Sequence, residues 1–254
     1  MNAIVRPLRP LYGLGLRALY GRSGLPWRVN GELFRIDPRV RRFVPHESET
    51  TLFRFLRDRI EPGQVVFDIG SFLGIYAMLE ARAAGPSGRV LAFEPTPWSY
   101  GVLCQHVRMN ALDDRIETRN AAVGSQQVRR PMITFEDEPY RNMIATTDTR
   151  TCHEASVEVL SVDDLCDSIG RAPDWIRMDV QGMEFDVLRG AARLLHESGE
   201  RIRIVAEMHP AEWLKYGVSP KDAPMLLADL GLRARSLDDR DPFVVETHAL
   251  LERI

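Results

Sequence analysis

Long apolar runs are missing from this chain of 254 residues. None approaches the ~20 residues of a membrane-spanning helix, and no signal-peptide pattern is evident. Cysteine is scarce too. Cys104, Cys152 and Cys166 are odd in number and lack C-x-x-C spacing, which predicts reduced thiols of a cytoplasmic protein and speaks against a structural zinc site. Lysine is nearly absent: only Lys215 and Lys221 stand among 33 basic residues. Internal repeats and low-complexity tracts are also lacking. What is present, 44% hydrophobic and 27% charged residues, is the composition of a soluble globular protein with one large core.

Charge is uneven along the chain. Residues 1–45 carry nine Arg against Glu32 and Asp37, a net of +7, so the remainder carries −10 of the overall −3. The acidic body argues against a nucleic-acid partner. The opening "VRPLRPLYGLGLRALYGRSGLPWR" mixes Arg with Leu, Tyr and Trp and is broken by Pro and Gly. Residues 1–25 read either as a loosely packed leader or as a weak peripheral contact with the inner membrane face. Residues 1–46 are thus expected to form a basic extension and 47–254 the main domain. Within the extension "WRVNGELFRID" reads as a hairpin turning at Asn30-Gly31. "SETTLFRFLRDRI" reads as a helix capped by Ser48 or Thr50.

From Glu61 onward short apolar runs alternate with helical segments. "QVVFDIG", "GRVLAFEP", "RIETRNAAVG", "PDWIRMDV" and "RIRIVAEMHP" are predicted strands, and "LRARSLD" with "FVVETHALLERI" a terminal antiparallel pair. This pattern predicts an α/β fold: a doubly wound, mostly parallel seven-stranded sheet with one antiparallel strand. "EFDVLRGAARLLHESG" is expected to be one helix whose buried side is Met183, Val187, Leu188, Ala191, Leu194 and Leu195. That leaves Glu184 off the core face, with a helix-start role. Residues 124–156 are the least regular and could hold a β-insertion over the site.

Ligands of open parallel sheets collect beyond the carboxyl ends of the strands. There this chain places Asp68, Glu94, Asp179 and Glu207, four acids converging on one edge. The first loop, Asp68-Ile69-Gly70-Ser71-Phe72-Leu73-Gly74, lacks the G-x-G-x-x-G spacing of a dinucleotide site, which disfavours a nicotinamide-dependent oxidoreductase. A carboxylate at position 68 suits a ligand with a cationic amino-acid end. Glu94, before Pro95 at the end of the second strand, suits the hydroxyls of a ribose. Together they describe S-adenosylmethionine.

"PGQVVFDIGSFLGIYA", "GRVLAFEPTPWSYGVLCQHVRMN", "IRMDVQGMEFDVLRGA" and "IVAEMHP", in this order, resemble the motifs of the FkbM-type methyltransferases, a family of the Rossmann-like S-adenosylmethionine-dependent class. The similarity spans about 70% of the chain, residues 47–230. It implies that Asp68, Gly70, Ser71, Gly74, Glu94 and Pro95 hold the cofactor, with Ala121 near the adenine. It also implies O-methylation of a sugar, glycolipid or secondary metabolite. Ser71-Phe72 replaces the family's usual Ala-Asn, and Gln181 its usual Glu, which removes a charge. An inactive cofactor-binding module is the alternative.

An alcohol needs help to lose its proton at neutral pH. Asp179 or His209 is the expected base, with Glu207 orienting the acceptor or His209. A divalent metal held by Asp179 and Glu207 is the less favoured route. His46, His106, His153, His196 and His248 show no paired spacing and are expected in core or solvated roles.

Overall fold

The computed structural model describes residues 15–16, 18–133, 143–144, 155–198 and 201–254. The leader reading falls mostly on residues outside this set, as does much of 124–156. The chain first makes the hairpin β1 (Leu25–Val29) and β2 (Glu32–Ile36). Asn30 and Gly31 both have positive φ, the conformation a two-residue hairpin turn demands. Helix α1 (Thr50–Arg59) follows, then β3 (Val65–Ile69), α2 (Ile75–Ala83), β4 (Arg89–Phe93) and α3 (Pro97–Met109). Next come β5 (Ile116–Arg119), β6 (Ala122–Val123), β7 (Val128–Ile133), β8 (Met143–Ile144), β9 (Ala155–Leu160) and α4 (Val162–Ile169). The last part holds β10 (Trp175–Met178), α5 (Glu184–Arg189), α6 (Ala192–Ser198), β11 (Arg203–Met208), α7 (Ala223–Asp229), β12 (Leu232–Ser236) and β13 (Thr247–Arg253).

Seven strands form the main sheet in the order β12-β13-β11-β10-β3-β4-β5, all parallel except β13. Every residue of β3 and β10 is buried, because a central parallel strand is covered on both faces. Phe67, Ile176 and Leu188 pack on one side; Val66, Leu103 and Met78 pack on the other. Phe34 and Ile36 of the hairpin join the second core, alongside Phe53 and Leu56 of α1. From β3 the chain moves outward through β4 and β5, then returns to lay β10 on the opposite side. The strand order therefore reverses between β3, which holds Asp68, and β10, which leads into Asp179.

Two expected elements divide. The third predicted strand splits into β5 and β6, and β6 leaves for a second sheet, β6-β9-β7-β8. The expected long helix breaks into α5 and α6 around Gly190. There a Cβ would lie 2.0 Å from the Gly124 carbonyl, and the Gly190 carbonyl accepts from Asp163 N. Helix α1 is not capped as expected either: its N-cap is Glu49, in the left-handed region, with no side-chain cap bond. The Ser48 backbone instead bonds the Asn30 side chain.

His106 ties the N-terminal segment to the first loop. Its Nε2 accepts from Asp37 N at 2.9 Å, so Nδ1 carries the proton and donates to the Leu73 carbonyl at 2.8 Å. Burial pushes this imidazole down to about 4, against the pull of the Leu73 carbonyl and Asp37.

Candidate active site

The two glycines of the first loop serve packing as well as approach. A Cβ on Gly70 would sit 1.9 Å from the Asp179 carbonyl, and one on Gly74 would sit 2.4 Å from Leu103 Cδ1. Both have φ of 81°, so the loop can press against β10 and α3 only with glycine there. Gly70 N and Ser71 N donate to the Phe93 carbonyl, and Ser71 Oγ to the Asp68 carbonyl. Glu94 secures the other side: Oε2 accepts from Phe72 N at 2.9 Å and Oε1 from Thr96 N at 2.8 Å. Burial raises the Glu94 carboxyl to about 7 despite these bonds. The Asn120 side chain donates to the carbonyls of Glu94 and Pro95, and buried Ala121 adjoins it. These residues gather at the carboxyl ends of β3, β4 and β5, the edge the sequence assigns to a nucleoside.

Asp68 does not reach that edge. It is fully buried, and its Oδ1 accepts from Arg177 Nη1 at 3.1 Å. Burial raises its carboxyl, with Arg177 pulling the other way. Arg177 also donates to the Gly70 carbonyl at 3.0 Å and to Asp179 Oδ2 at 3.3 Å, while the Tyr76 ring lies 4.5 Å from its guanidinium carbon. This buried arginine locks the first loop to the end of β10, and the sequence reading passed over it. A signal was present: a charge inside the apolar run "WIRM" must be partnered.

The ends of β10 and β11 bring Asp179, Glu207 and His209 together. Their ligating atoms lie within 4.8 Å of one another, as do those of Glu49, Glu207 and His248. Either triad has donors a divalent metal accepts. Gln181, at φ 50°, places its amide nitrogen 3.2 Å from Asp179 Oδ1 and 3.0 Å from His209 Nε2. The substituted position thus bridges acid and imidazole.

Glu184 overturns its expected place. It is wholly buried, with Oε1 2.7 Å from His209 Nδ1 and Oε2 accepting from Trp213 Nε1 at 2.6 Å. Gly182 N donates to Oε1 as well. The expected apolar side of this segment is buried as read, but Glu184 opens a short helix, α5, that is buried along most of its surface. A polar face in the sequence is therefore not a solvent face in the fold. Orientation of His209 belongs to Glu184 rather than Glu207, whose Oε2 lies 3.7 Å from His248 Nε2. Burial works against the charged His209 ring, but Glu184, Asp179 and Glu207 outweigh it and raise the imidazole to about 9. Burial beside Asp179 and Glu49 raises the Glu207 carboxyl as well.

The sheet is that of the Rossmann-like methyltransferases. A putative O-methyltransferase from Klebsiella pneumoniae matches with a TM-score of 0.52 at 16% identity, covering 84% of each chain. An O-methyltransferase from Bacillus cereus, solved in complex with SAH, gives 0.52 at 14% identity over 85% of this chain and 86% of that one. Residues 68–234 match the Methyltransferase FkbM domain, and the chain belongs to that family of methyltransferases. Hexuronic acid methyltransferase AglP of Haloferax volcanii is 28% identical over 205 residues, covering 78% of this chain and 76% of its own. Among the described residues no helix is long and apolar enough to cross a membrane.

Proposed function

We propose that this methyltransferase uses S-adenosylmethionine to methylate a hydroxyl of a sugar or other small glycan-like acceptor, with His209 as the base. The observation that carries the reading is the His209 ring, bonded at Nδ1 to buried Glu184 while Nε2 faces Asp179 at the carboxyl edge of the sheet. The protein's groups fit the cofactor: a glycine loop with no room for a Cβ, and the Glu94 carboxylate beside it. Gly70, Ser71, Gly74, Glu94, Pro95 and Ala121 would hold it. When bound, it supplies an electrophilic methyl group on sulfur.

The base has to be neutral at Nε2 and still aimed. Glu184 does the aiming, accepting the Nδ1 proton and stabilising the ring once Nε2 takes the proton of the acceptor hydroxyl. Because it also raises the imidazole to about 9, the neutral base is the form populated as pH rises. That hydroxyl replaces the Gln181 amide on Nε2. Asp179 is a weaker candidate for base because its charge is paired with the Arg177 guanidinium; its remaining lone pairs orient the acceptor instead. The relative acting on a hexuronic acid and the carboxylates lining this edge support a sugar acceptor, and the net charge of −3 argues against nucleic acid.

Transfer of labelled methyl from S-adenosylmethionine to a panel of sugars and uronic acids tests the reading. His209→Ala should lower it by about 10²–10⁴-fold with S-adenosylhomocysteine affinity retained; undiminished turnover rejects the base. Metal assistance at Asp179, Glu207 and His209 is the second reading, favoured by their mutual approach. Activity that survives exhaustive chelation eliminates it.

A further inference from the structure

The carboxylate expected to meet the ammonium of an amino-acid ligand, Asp68, is sealed beneath the first loop. A cavity of about 200 Å³ lies on the other side of that loop, between residues 29–53 and 70–76, and Asp68 does not line it. Its walls include Phe43, Val44, Phe72 and Ile75, and its charged groups are Glu49, Arg177 and Asp179. We infer that Glu49, which precedes the family-matched span, takes the ammonium of the cofactor's amino-acid arm. The inference rests on the reading that the cofactor is S-adenosylmethionine.

Size argues for an arm rather than a whole ligand, since pockets for drug-sized molecules begin near ~300 Å³. Position agrees. Glu94 grips Phe72 N from the nucleoside side of the loop, while Phe72 itself lines the cavity, so a ligand crossing the loop enters it with its other end. The walls also suit a zwitterion. Ile75 and Tyr76 open helix α2, whose first-turn amides have no carbonyl behind them within the helix and favour a carboxylate.

The cation side needs an acid with capacity to spare. Arg177 is one charge shared among Asp68, Asp179 and the Gly70 carbonyl, and Asp179 already has this guanidinium as a hydrogen-bonded cation. Glu49 Oε2 accepts from Tyr76 Oη at 2.5 Å, and Oε1 lies 3.3 Å from His248 Nε2. Its two oxygens offer about four acceptor sites, so lone pairs remain for an ammonium. Burial opposes its charge, yet His248, Arg177 and Tyr76 hold the carboxyl down at about 2, so it is ionised at neutral pH. Its backbone sits at φ 42°, ψ 46° at the head of α1, and its side chain reaches Tyr76 of α2.

The test is calorimetry with two probes on the full chain: S-adenosylhomocysteine, which has the amino-acid arm, and 5′-methylthioadenosine, which keeps the nucleoside and lacks the arm. Glu49→Gln should weaken the first by about tenfold to a hundredfold and leave the second unchanged. Glu49→Asp, which keeps the charge, should lose less than Glu49→Gln and supplies the comparison if the amide variant does not fold. Equal loss for both probes, or no loss for either, overturns the assignment. Wild-type protein that binds neither probe overturns the cofactor reading itself, a result distinct from failure of Glu49.

Discussion

Glu184 and His209, 25 residues apart in sequence, share a 2.7 Å hydrogen bond with almost no solvent access to either side chain. The carboxylate holds the proton on Nδ1 and leaves Nε2 beside the Gln181 amide and Asp179. Because it also receives Trp213 Nε1, it cannot follow the ring if the ring moves. Preorganisation of this kind raises the cost of any misaligned base.

Replacing Glu184 with Gln should therefore separate basicity from binding. The His209 ring loses its strongest anionic neighbour, so its titration should move to lower pH from about 9, as followed by NMR of the imidazole. The alkaline rise of kcat/KM should move with it, and the plateau should drop by about tenfold or more. S-adenosylhomocysteine affinity should stay near that of wild type. An unmoved titration would deny Glu184 its role.

His106 predicts a loss of stability on the acid side. Its folded value, about 4, lies below the ordinary 6.5, so the native state binds fewer protons than the unfolded chain between these limits. The contribution is complete above pH 6.5 and is lost as pH falls toward 4, reaching about 3 kcal/mol. Denaturant titrations at pH 4.5 and 7 should show this slope in wild type. His106→Leu should flatten it while losing the links to Asp37 and Leu73.

Glu80 predicts the opposite trend. It is fully buried in α2, and neither carboxylate oxygen has a partner among the described residues. Burial, reinforced by Asp68, raises its carboxyl well above the ordinary 4.5. Above pH 4.5 the unfolded chain ionises while the folded one stays protonated, so stability declines until the folded value is passed. Glu80→Met should remove that decline and stabilise the protein at pH 8 by about 1–3 kcal/mol, measured by denaturant unfolding.

Two glycine substitutions should separate. Gly70→Ala drives a Cβ into the Asp179 carbonyl at positive φ, and should abolish S-adenosylhomocysteine binding. A Cβ added at Gly101, inside α3, would meet nothing within 4 Å. Gly101→Ala should raise stability by about 0.5–1 kcal/mol with binding unchanged, seen as a small rise in Tm.

The order of strands and helices was legible because periodicity is local. Continuous apolar runs such as "VVFDI" and "RIVAEM" mark strands buried on both faces, and "VNGEL" marks a hairpin whatever surrounds it. Glu94 and Asp179, which directly follow β4 and β10, were legible for the same reason, whereas Asp68 and Glu207 lie inside β3 and β11. Roles were harder to read. Glu184 carries a helix-start pattern that is correct locally and says nothing of the Trp213 turn and His209 that enclose it. Asp68 and Arg177 lie 109 residues apart, and only the pairing of β3 with β10 brings them together.

The sequence by itself determined the alternating α/β architecture, the hairpin, the glycine loop and the strand-end carboxylates, all set by side-chain period and backbone preference over a few residues. Only the tertiary structure decided which carboxylates are sealed and which are open. Asp68 is neutralised beneath the loop, Glu184 is turned inward to hold His209, and Glu49 reaches a cavity from outside the matched family span. The physical reason is that burial and partner charge decide what a carboxylate can do, and both are set by contacts between residues far apart in the chain.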